Sequence, residues 1–437
     1  MADHARSSDP AVQQQLDRLT MLSPGRDVLG LERIGALLAR VGNPQHRLPP
    51  VFHVAGTNGK GSTCAFLRAG LEAAGLRVHA YTSPHLVRFN ERIRVAGTLI
   101  DDAALAPLLA EVLDQSADIA PSFFEATTAA AFLAFTRTAA DACIIEVGLG
   151  GRLDATNVIH RPAVCGIAQL GLDHQAFLGD RIEDIAAEKA GIARPGVPLV
   201  TMDYPPGLAD RVAEVARRAG APWLPRGAAW DASAEGDMLA YRDAHGPLRL
   251  PLPALAGAHQ AMNAALATAM LRHQTAFAIP DAALIAMPGG AHWPARLQRL
   301  DRGRLAADLP QDVELWLDGG HNPAAAAHIA AFFADDTRPL HMVFGLLDNK
   351  DLAGVLAPFA GIAASLSAVP VPDHASHGAD AIIARAQALG IPATSAPDVP
   401  SALAQIVARL DGPGRILIAG SLYLAGQVLA LNGTPPQ

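Results

Sequence analysis

Eleven residues constrain this chain more than any others: His53-Val-Ala-Gly-Thr-Asn-Gly-Lys-Gly-Ser-Thr63. A short apolar strand opens here into a glycine-rich turn and then into a helix, an order that belongs to parallel α/β sheets. In such a turn successive backbone N–H groups and the helix N-terminus converge on one point, where they form an anion nest. Lys60 would place an ammonium among the β- and γ-phosphates of a nucleotide, and Ser62 or Thr63 would face Mg²⁺ or a phosphate oxygen. The spacing is a shortened form of GxxxxGK[ST], namely Gly56-x-x-Gly59-Lys60-Gly61-Ser62. Gly56, Thr57, Asn58, Gly59, Lys60, Gly61, Ser62 and Thr63 are the candidate nucleotide-binding residues, and Lys60 is also a catalytic candidate. A glycine turn without a ligand is the competing reading; strand, nest, lysine and hydroxyl in the required order argue against it.

The rest of the pattern agrees with an α/β chain. Candidate strands at 51–55, 78–81, 142–147, 163–168 and 198–201 alternate with alanine-rich helical runs at 62–74, 103–113, 125–138 and 182–192. Residues 221–253, richer in Pro, Gly and Trp, predict a small antiparallel insertion, and a helix resumes at 259–273. Met287-Pro-Gly-Gly-Ala-His-Trp-Pro294 carries two prolines and two glycines and predicts an interdomain linker. A second series follows, with strands at 313–317, 341–344, 364–369 and 415–419 and helical runs from Pro323, Leu352, Ala379 and Ser401. The expected fold is an N-terminal P-loop ATPase-type domain with a mostly parallel sheet over residues 1–292. A smaller Rossmann-like α/β domain over 293–437 completes it.

Composition excludes several classes. Thirty-four basic residues against 42 acidic ones give a formal charge of −8, with no basic run to neutralise a phosphate backbone, so nucleic acid is not an expected partner. Cys64, Cys143 and Cys165 lie in apolar segments without a CxxC pair, which predicts buried thiols in a reducing cytoplasm. The first residues, with Asp3, Arg6 and Asp9, lack the apolar run of a signal peptide. Residues 416–431, the most membrane-like stretch, read as a strand entering a helix because Gly420, Ser421, Gly426 and Gln427 interrupt them. No membrane partner is expected.

A second glycine cluster, Gly148-Leu-Gly-Gly-Arg-Leu-Asp-Ala-Thr-Asn157, follows the strand ending at Glu146. Position 153 is Leu, so the GxGxxG dinucleotide fingerprint is broken. Glu146 sits at the carboxyl end of a central strand, where open α/β sheets bind ligands, with Asp154 on the loop beyond; a carboxylate there can hold Mg²⁺ against phosphates. Asp173-His174 closes the next strand, and Glu188-Lys-Ala-Gly191 lies on the helix after it.

Together these motifs resemble the folylpolyglutamate synthase and dihydrofolate synthase family, relatives of the Mur peptide ligases. The resemblance extends to Thr82-Ser-Pro-His-Leu86 with Phe89-Asn-Glu-Arg-Ile93, to Phe123-Phe-Glu125 and to Gly257-x-His-Gln-x-x-Asn263. In the second half it takes in Arg296, Asp318-Gly-Gly-His-Asn-Pro323 and Gly420-Ser-Leu-Tyr423. Two stretches depart from the family pattern: residues 166–172 lack the usual Thr or Ser-Ile, and Asp318-Gly-Gly replaces the commoner Asp-x-Ala. The resemblance implies an ATP-dependent acid–amino-acid ligase that uses ATP and Mg²⁺. It would join L-glutamate to dihydropteroate and to the γ-carboxylate of reduced folates through an acyl phosphate, as a cytoplasmic monomer with small-molecule partners.

The resemblance also implies roles for single residues. Ser83, Glu146 and His174 would hold Mg²⁺, and Lys189 would serve catalysis as a carbamyl-lysine. Asn263, Arg296 and Asp318 would contact the nucleotide, with His321 and Ser421 near the incoming glutamate and His321 catalytic. Phe123, Phe124, Glu125, Leu153, Asp154 and Ala155 would line the pterin pocket; Arg92 is a further substrate contact and Asp154 a further catalytic candidate. The Arg-Leu pair at 152–153 looks like the bifunctional bacterial form. Three alternatives stay open: folylpolyglutamate synthase activity alone, another Mur-type amino-acid ligase, and a nucleotide-binding ATPase or regulatory protein that joins nothing. The Mur alternative is disfavoured by GKGS in place of GKTT and by the 55 residues before Gly56.

Overall fold

The computed structural model describes residues 5–22 and 29–437; Asp3 falls outside them. The chain divides into two compact units, one made of Met1–Ala254, Gln260–His292 and Gln437, the other of Leu255–His259 and Trp293–Pro436.

The first unit is built on eight strands, β1 (Val51–Ala55), β2 (Val78–Tyr81), β3 (Ile93–Val95), β4 (Thr98–Leu99), β5 (Ala142–Glu146), β6 (Val164–Ile167), β7 (Leu199–Thr201) and β8 (Trp223–Pro225). They lie in the order β4-β3-β2-β5-β1-β6-β7-β8; β2 through β8 pair in parallel along that order, while β3 and β4 add an antiparallel edge. Every residue of β1, β5 and β6 is buried. Continuous apolar runs of this kind belong to strands covered on both faces. The polar member of β1, His53, bonds through Nε2 to Thr156 Oγ1 at 2.9 Å, and burial drops its imidazole to about 3, so it stays neutral.

The helix Phe123–Arg137 starts two residues before the sequence pattern suggests, because Ser122 caps it in a reciprocal box with Glu125. Its residues from Ala129 to Phe135 are buried on every side, and they pack with Leu16, Leu19, Ile34 and Leu37 of the helices Pro10–Leu22 and Glu32–Arg40.

Two expectations change. Within residues 221–253, β8 joins the large sheet beside β7. Only β9 (Trp230–Glu235), β10 (Met238–Asp243) and β11 (Gly246–Pro251) form the antiparallel insertion. The expected linker begins inside a helix, Asp281–Gly290, which runs through Pro288. Met287 is fully buried and packs at Gly70 of the helix Lys60–Ala73, while the Pro288 carbonyl accepts the Ala254 N–H. A proline in a last turn forfeits one hydrogen bond near an end that frays anyway, so packing outweighs it.

The second unit holds a six-stranded sheet of β12 (Gln298–Arg299), β13 (Val313–Leu317), β14 (Leu340–Phe344), β15 (Ala363–Ala368), β16 (Ala393–Ser395) and β17 (Gly414–Ala419), in the order β12-β13-β17-β14-β15-β16. All neighbours are parallel except β12 with β13. Inserting β17 between β13 and β14 puts the loops after β13 and β17 side by side at the carboxyl edge, where such sheets bind ligands. Among the described residues no helix is long and apolar enough to cross a membrane.

Candidate active site

The turn after β1 is anchored from both sides. Thr57 and Asn58 donate backbone N–H groups to the Gln169 carbonyl at 2.8 and 3.2 Å, and Thr57 Oγ1 donates to the Gly171 carbonyl at 3.0 Å. Gly59 has φ +85°, and a Cβ there would come 2.5 Å from Asn263 Oδ1. Asn263 is thereby placed on the nest, its Nδ2 donating to Gln260 Oε1 at 3.0 Å. Lys60 opens the following helix and donates its Nζ to the carbonyls of Gly56 (3.1 Å) and Thr57 (3.4 Å), whereas the Thr63 hydroxyl is spent on the Gly59 carbonyl. Gly59→Ala combines a left-handed backbone, costing about 1–2 kcal/mol, with that collision. The variant is expected to weaken ADP binding at least roughly tenfold in calorimetric titration, the equivalent of about 1.4 kcal/mol. Unchanged ADP affinity would contradict the close approach of Asn263.

Lys189, 4% exposed, also donates to the Gly56 carbonyl, at 3.0 Å. Two ammonium groups thus share one acceptor. Burial, with the Lys60 charge beside it, pulls the Lys189 amine down to about 7, against the opposing pull of Asp173 and Asp154. At neutral pH an appreciable fraction is a free amine, the form that adds CO₂.

Of the expected metal ligands, Ser83 and Glu146 meet: the Ser83 N–H donates to Glu146 Oε2 at 3.2 Å at the end of β5. His174 stands in a left-handed conformation at the start of the short helix Gln175–Leu178, its own N–H bonded to Asp173 Oδ1. Among the described residues no group of three His, Cys, Asp or Glu side chains is arranged to hold a metal ion. That donor set fits Mg²⁺, which keeps several waters and is commonly bound by one or two carboxylates plus substrate phosphates.

The aromatic residues gather at the start of the helix Phe123–Arg137. Phe123 meets Phe89 edge-on at 5.9 Å, and Phe124 lies 5.8 Å from the Tyr81 ring. Any side chain at Gly148 would strike the Phe124 ring, so that glycine makes room for it. Leu153 lines a cavity of about 490 Å³ with Leu29, Phe177 and Leu178, rimmed by Arg152, Asp184, Glu188 and Arg211. Asp154 is 2% exposed, and its two oxygens accept from Leu149 N–H and from the Thr156 N–H and hydroxyl, which ties the loop around Ala155 together. Glu125 accepts from Ser122 N–H and from Arg33 Nε at 2.6 and 3.0 Å. Arg92, 1% exposed, donates Nε–H to His85 Nδ1.

In the second unit, Asp318 accepts the N–H groups of Leu297 (2.7 Å) and Gly320 (2.6 Å), and burial pushes its carboxyl up against the counter-pull of Arg296. His321 donates Nδ1–H to the Gly319 carbonyl at 3.0 Å, which makes Nε2 the acceptor nitrogen of the neutral ring. Ser421 caps the helix Leu422–Asn432. His321 and Ser421 leave adjacent strands, β13 and β17.

Sequence reasoning passed over Gln169, Gly171, Gln260, His85 and Glu91. Gln260, His85 and Glu91 stood inside quoted motifs, and Gln169 and Gly171 inside the stretch 166–172; they act through backbone or amide contacts that residue type alone does not report.

A phosphate nest on the first parallel strand, a carboxylate at the next strand end and a second α/β unit with its own strand-end Arg, Asp and His define a nucleotide-using ligase of the Mur type. Residues 299–422 match the family model described as Mur ligase, glutamate ligase domain. The dihydrofolate synthase/folylpolyglutamate synthase of Escherichia coli (strain K12) is 38% identical over 333 residues, 75% of this chain and 74% of that protein. The solved structure of Escherichia coli FolC in complex with DHPP and ADP superposes with a TM-score of 0.87 at 33% identity, covering 97% of this chain and 98% of that one. The bifunctional enzyme of Yersinia pestis CO92 with AMPPNP and Mn ion gives 0.85 at 32% identity over 97% and 99% of the two chains. This chain belongs to the dihydrofolate synthase/folylpolyglutamate synthase family and is an ATP-dependent ligase.

Proposed function

We propose that this protein joins L-glutamate to dihydropteroate and to the γ-carboxylate of reduced folates, with ATP and Mg²⁺. The observation that carries the reading is the nest at 56–63 set beside the Ser83–Glu146 pair. A carboxylate is a poor electrophile and must gain a leaving group, which in-line attack on the γ-phosphate supplies as an acyl phosphate with ADP released. The glutamate amine then attacks the carbonyl, and phosphate leaves.

Each residue has work in that sequence. The backbone of 56–61 and Lys60 hold the phosphates; stabilisation of charge that develops in the transition state is their main contribution. Ser83 and Glu146, with His174, would hold Mg²⁺, which neutralises phosphate charge when bound. Lys189, carbamylated, would exchange an unfavourable second ammonium at Gly56 for an anion. Asn263, Arg296 and Asp318 serve the nucleotide, Asp318 by shaping the loop that carries His321. His321 Nε2, held as an acceptor, is suited to take the proton that the glutamate ammonium must lose, with Ser421 beside it. Phe123, Phe124, Leu153 and Ala155 supply apolar and stacking surface for a pterin, and Asp154 and Glu125 organise its loop and helix start.

The two substrates differ in how far the pterin lies from the reacting carbon, so the shorter one depends more on the inner contacts. Phe124→Ala is expected to lower kcat/KM for dihydropteroate at least roughly tenfold more than for a reduced folate, the size of about one lost aromatic contact. Equal losses would reject a pocket specific to dihydropteroate. Asp154→Ala is the weaker test, because it also frees the loop.

A further inference from the structure

Thr57 stands among the expected nucleotide contacts, yet its side chain is engaged with the segment that follows β6. The hydroxyl donates its one hydrogen to the Gly171 carbonyl at 3.0 Å and accepts the Gly171 N–H at 3.1 Å. One side chain thus offers Gly171 both an acceptor and a donor, as a backbone partner in a strand pair would. The rungs before it are backbone ones. Ala168 N–H donates to the Ala55 carbonyl at 2.9 Å, the N–H groups of Thr57 and Asn58 converge on the Gln169 carbonyl, and Asn58 pairs with Gln169 as an isolated antiparallel bridge. Gly56 permits the approach, since a Cβ there would lie 2.9 Å from Ala168 Cβ. The contact between β1 and β6 therefore continues past both strand ends, and the Thr57 hydroxyl supplies a further rung.

Apolar burial falls away at this point: Leu170 is 5% exposed and Leu172 is 47% exposed. Asp173 and His174 come next, His174 in a left-handed conformation with its N–H on Asp173 Oδ1 at 2.8 Å. By chain reach the His174 Cα lies within about 11 Å of the Gly171 Cα, so a shift of Gly171 carries both side chains with it. The Asp173 charge acts on the Lys189 amine, which itself bonds to Gly56. On the nest side, the Thr57 carbonyl accepts Lys60 Nζ at 3.4 Å. Thr57 therefore joins the lysine of the nest to the segment that bears His174.

We propose that the Thr57 hydroxyl serves the metal rather than the nucleotide: it is a positioning residue that sets the segment of Asp173 and His174 against the phosphate nest. The proposal rests on the function given above, with His174 as a ligand of Mg²⁺.

Thr57→Val removes the hydroxyl at nearly constant volume, and Thr57→Ser keeps it. In metal-free protein, hydrogen exchange read by mass spectrometry on peptides covering 169–174 is expected to quicken roughly fivefold in Thr57→Val, the scale of one lost hydrogen bond, and to stay as in the unmodified protein in Thr57→Ser. Mn²⁺ serves as the metal probe, its binding in the presence of ADP followed by electron paramagnetic resonance. Thr57→Val should weaken it at least roughly tenfold, as for loss of a group that orients a ligand, while ADP affinity in metal-free buffer is unchanged. Thr57→Ala, which leaves no methyl against Gly171, gives the same expectations should the valine variant not fold. Unchanged exchange, unchanged Mn²⁺ affinity, an equal loss of metal-free ADP affinity, or a serine variant as impaired as valine would overturn the proposal. Ligation by the unmodified protein is read separately: its absence rejects the function given above, whereas unchanged exchange and Mn²⁺ affinity in Thr57→Val reject only this proposal.

Discussion

Lys60→Ala is expected to abolish ligation in a protein that folds normally. The lysine is the first residue of its helix, and its ammonium bonds only to backbone carbonyls of Gly56 and Thr57 among the contacts of the nest. Each such bond contributes about 1 kcal/mol net to stability, and Lys189 still donates to Gly56 in the variant. In the proposed role catalysis loses far more, because the same charge would face the phosphates as negative charge shifts toward the leaving ADP. A loss of at least about a hundredfold in kcat is expected, the scale for removing one preorganised donor. Glutamate-dependent phosphate release and a thermal melt measure the two effects side by side. A well-folded Lys60→Ala protein within tenfold of the original rate contradicts the assignment.

The second large effect concerns the metal. Glu146→Gln keeps an oxygen for the Ser83 N–H but removes the negative charge at the end of β5, so the Mg²⁺ concentration for half-maximal rate should rise at least roughly tenfold. His174→Ala, which in the proposed assignment removes a ligand without removing a negative charge, should shift the same midpoint less. Rates measured across a Mg²⁺ titration distinguish this from simple damage, because excess Mg²⁺ restores activity lost through weak coordination and not activity lost through misfolding. Unchanged Mg²⁺ dependence in both variants sinks the metal assignment.

The strands that carry the site were legible to within a residue or two at their ends. β1, β5 and β6 are short, largely apolar runs in which His53 and Glu146 are the polar members, and that signal is local. β3, β4, β12 and β16 are two or three residues long and exist because a neighbour pairs with them, which no local pattern reports. β8 fell within a stretch read as an insertion for its prolines and tryptophan, while its partner β7 lies twenty residues upstream. The helix through Pro288 was misread because Gly and Pro signal a break unless burial of Met287 overrides them.

In the site, the nest and the strand-end acid were legible because their chemistry fixes residue types at short spacing. Contacts that join distant segments were not. Lys189 reaches Gly56 across 133 positions, and Asn263 reaches Gly59 from a helix two hundred residues on. Arg92 and Glu125 were expected as substrate contacts from residue type alone, and the geometry was not legible: each side chain is committed to a neighbour, His85 for one and Ser122 with Arg33 for the other.

The central claim is that the nest and its neighbouring carboxylate drive glutamate ligation to a pterin-bearing carboxylic acid. Purified protein incubated with ATP, Mg²⁺, L-glutamate and either dihydropteroate or a reduced folate, with products read by mass spectrometry, tests it most directly. The expected result is one glutamyl residue added to dihydropteroate and one or more added to the folate, with one ADP formed for each. ATP hydrolysis without a glutamylated product, or no turnover of either acid, would contradict it.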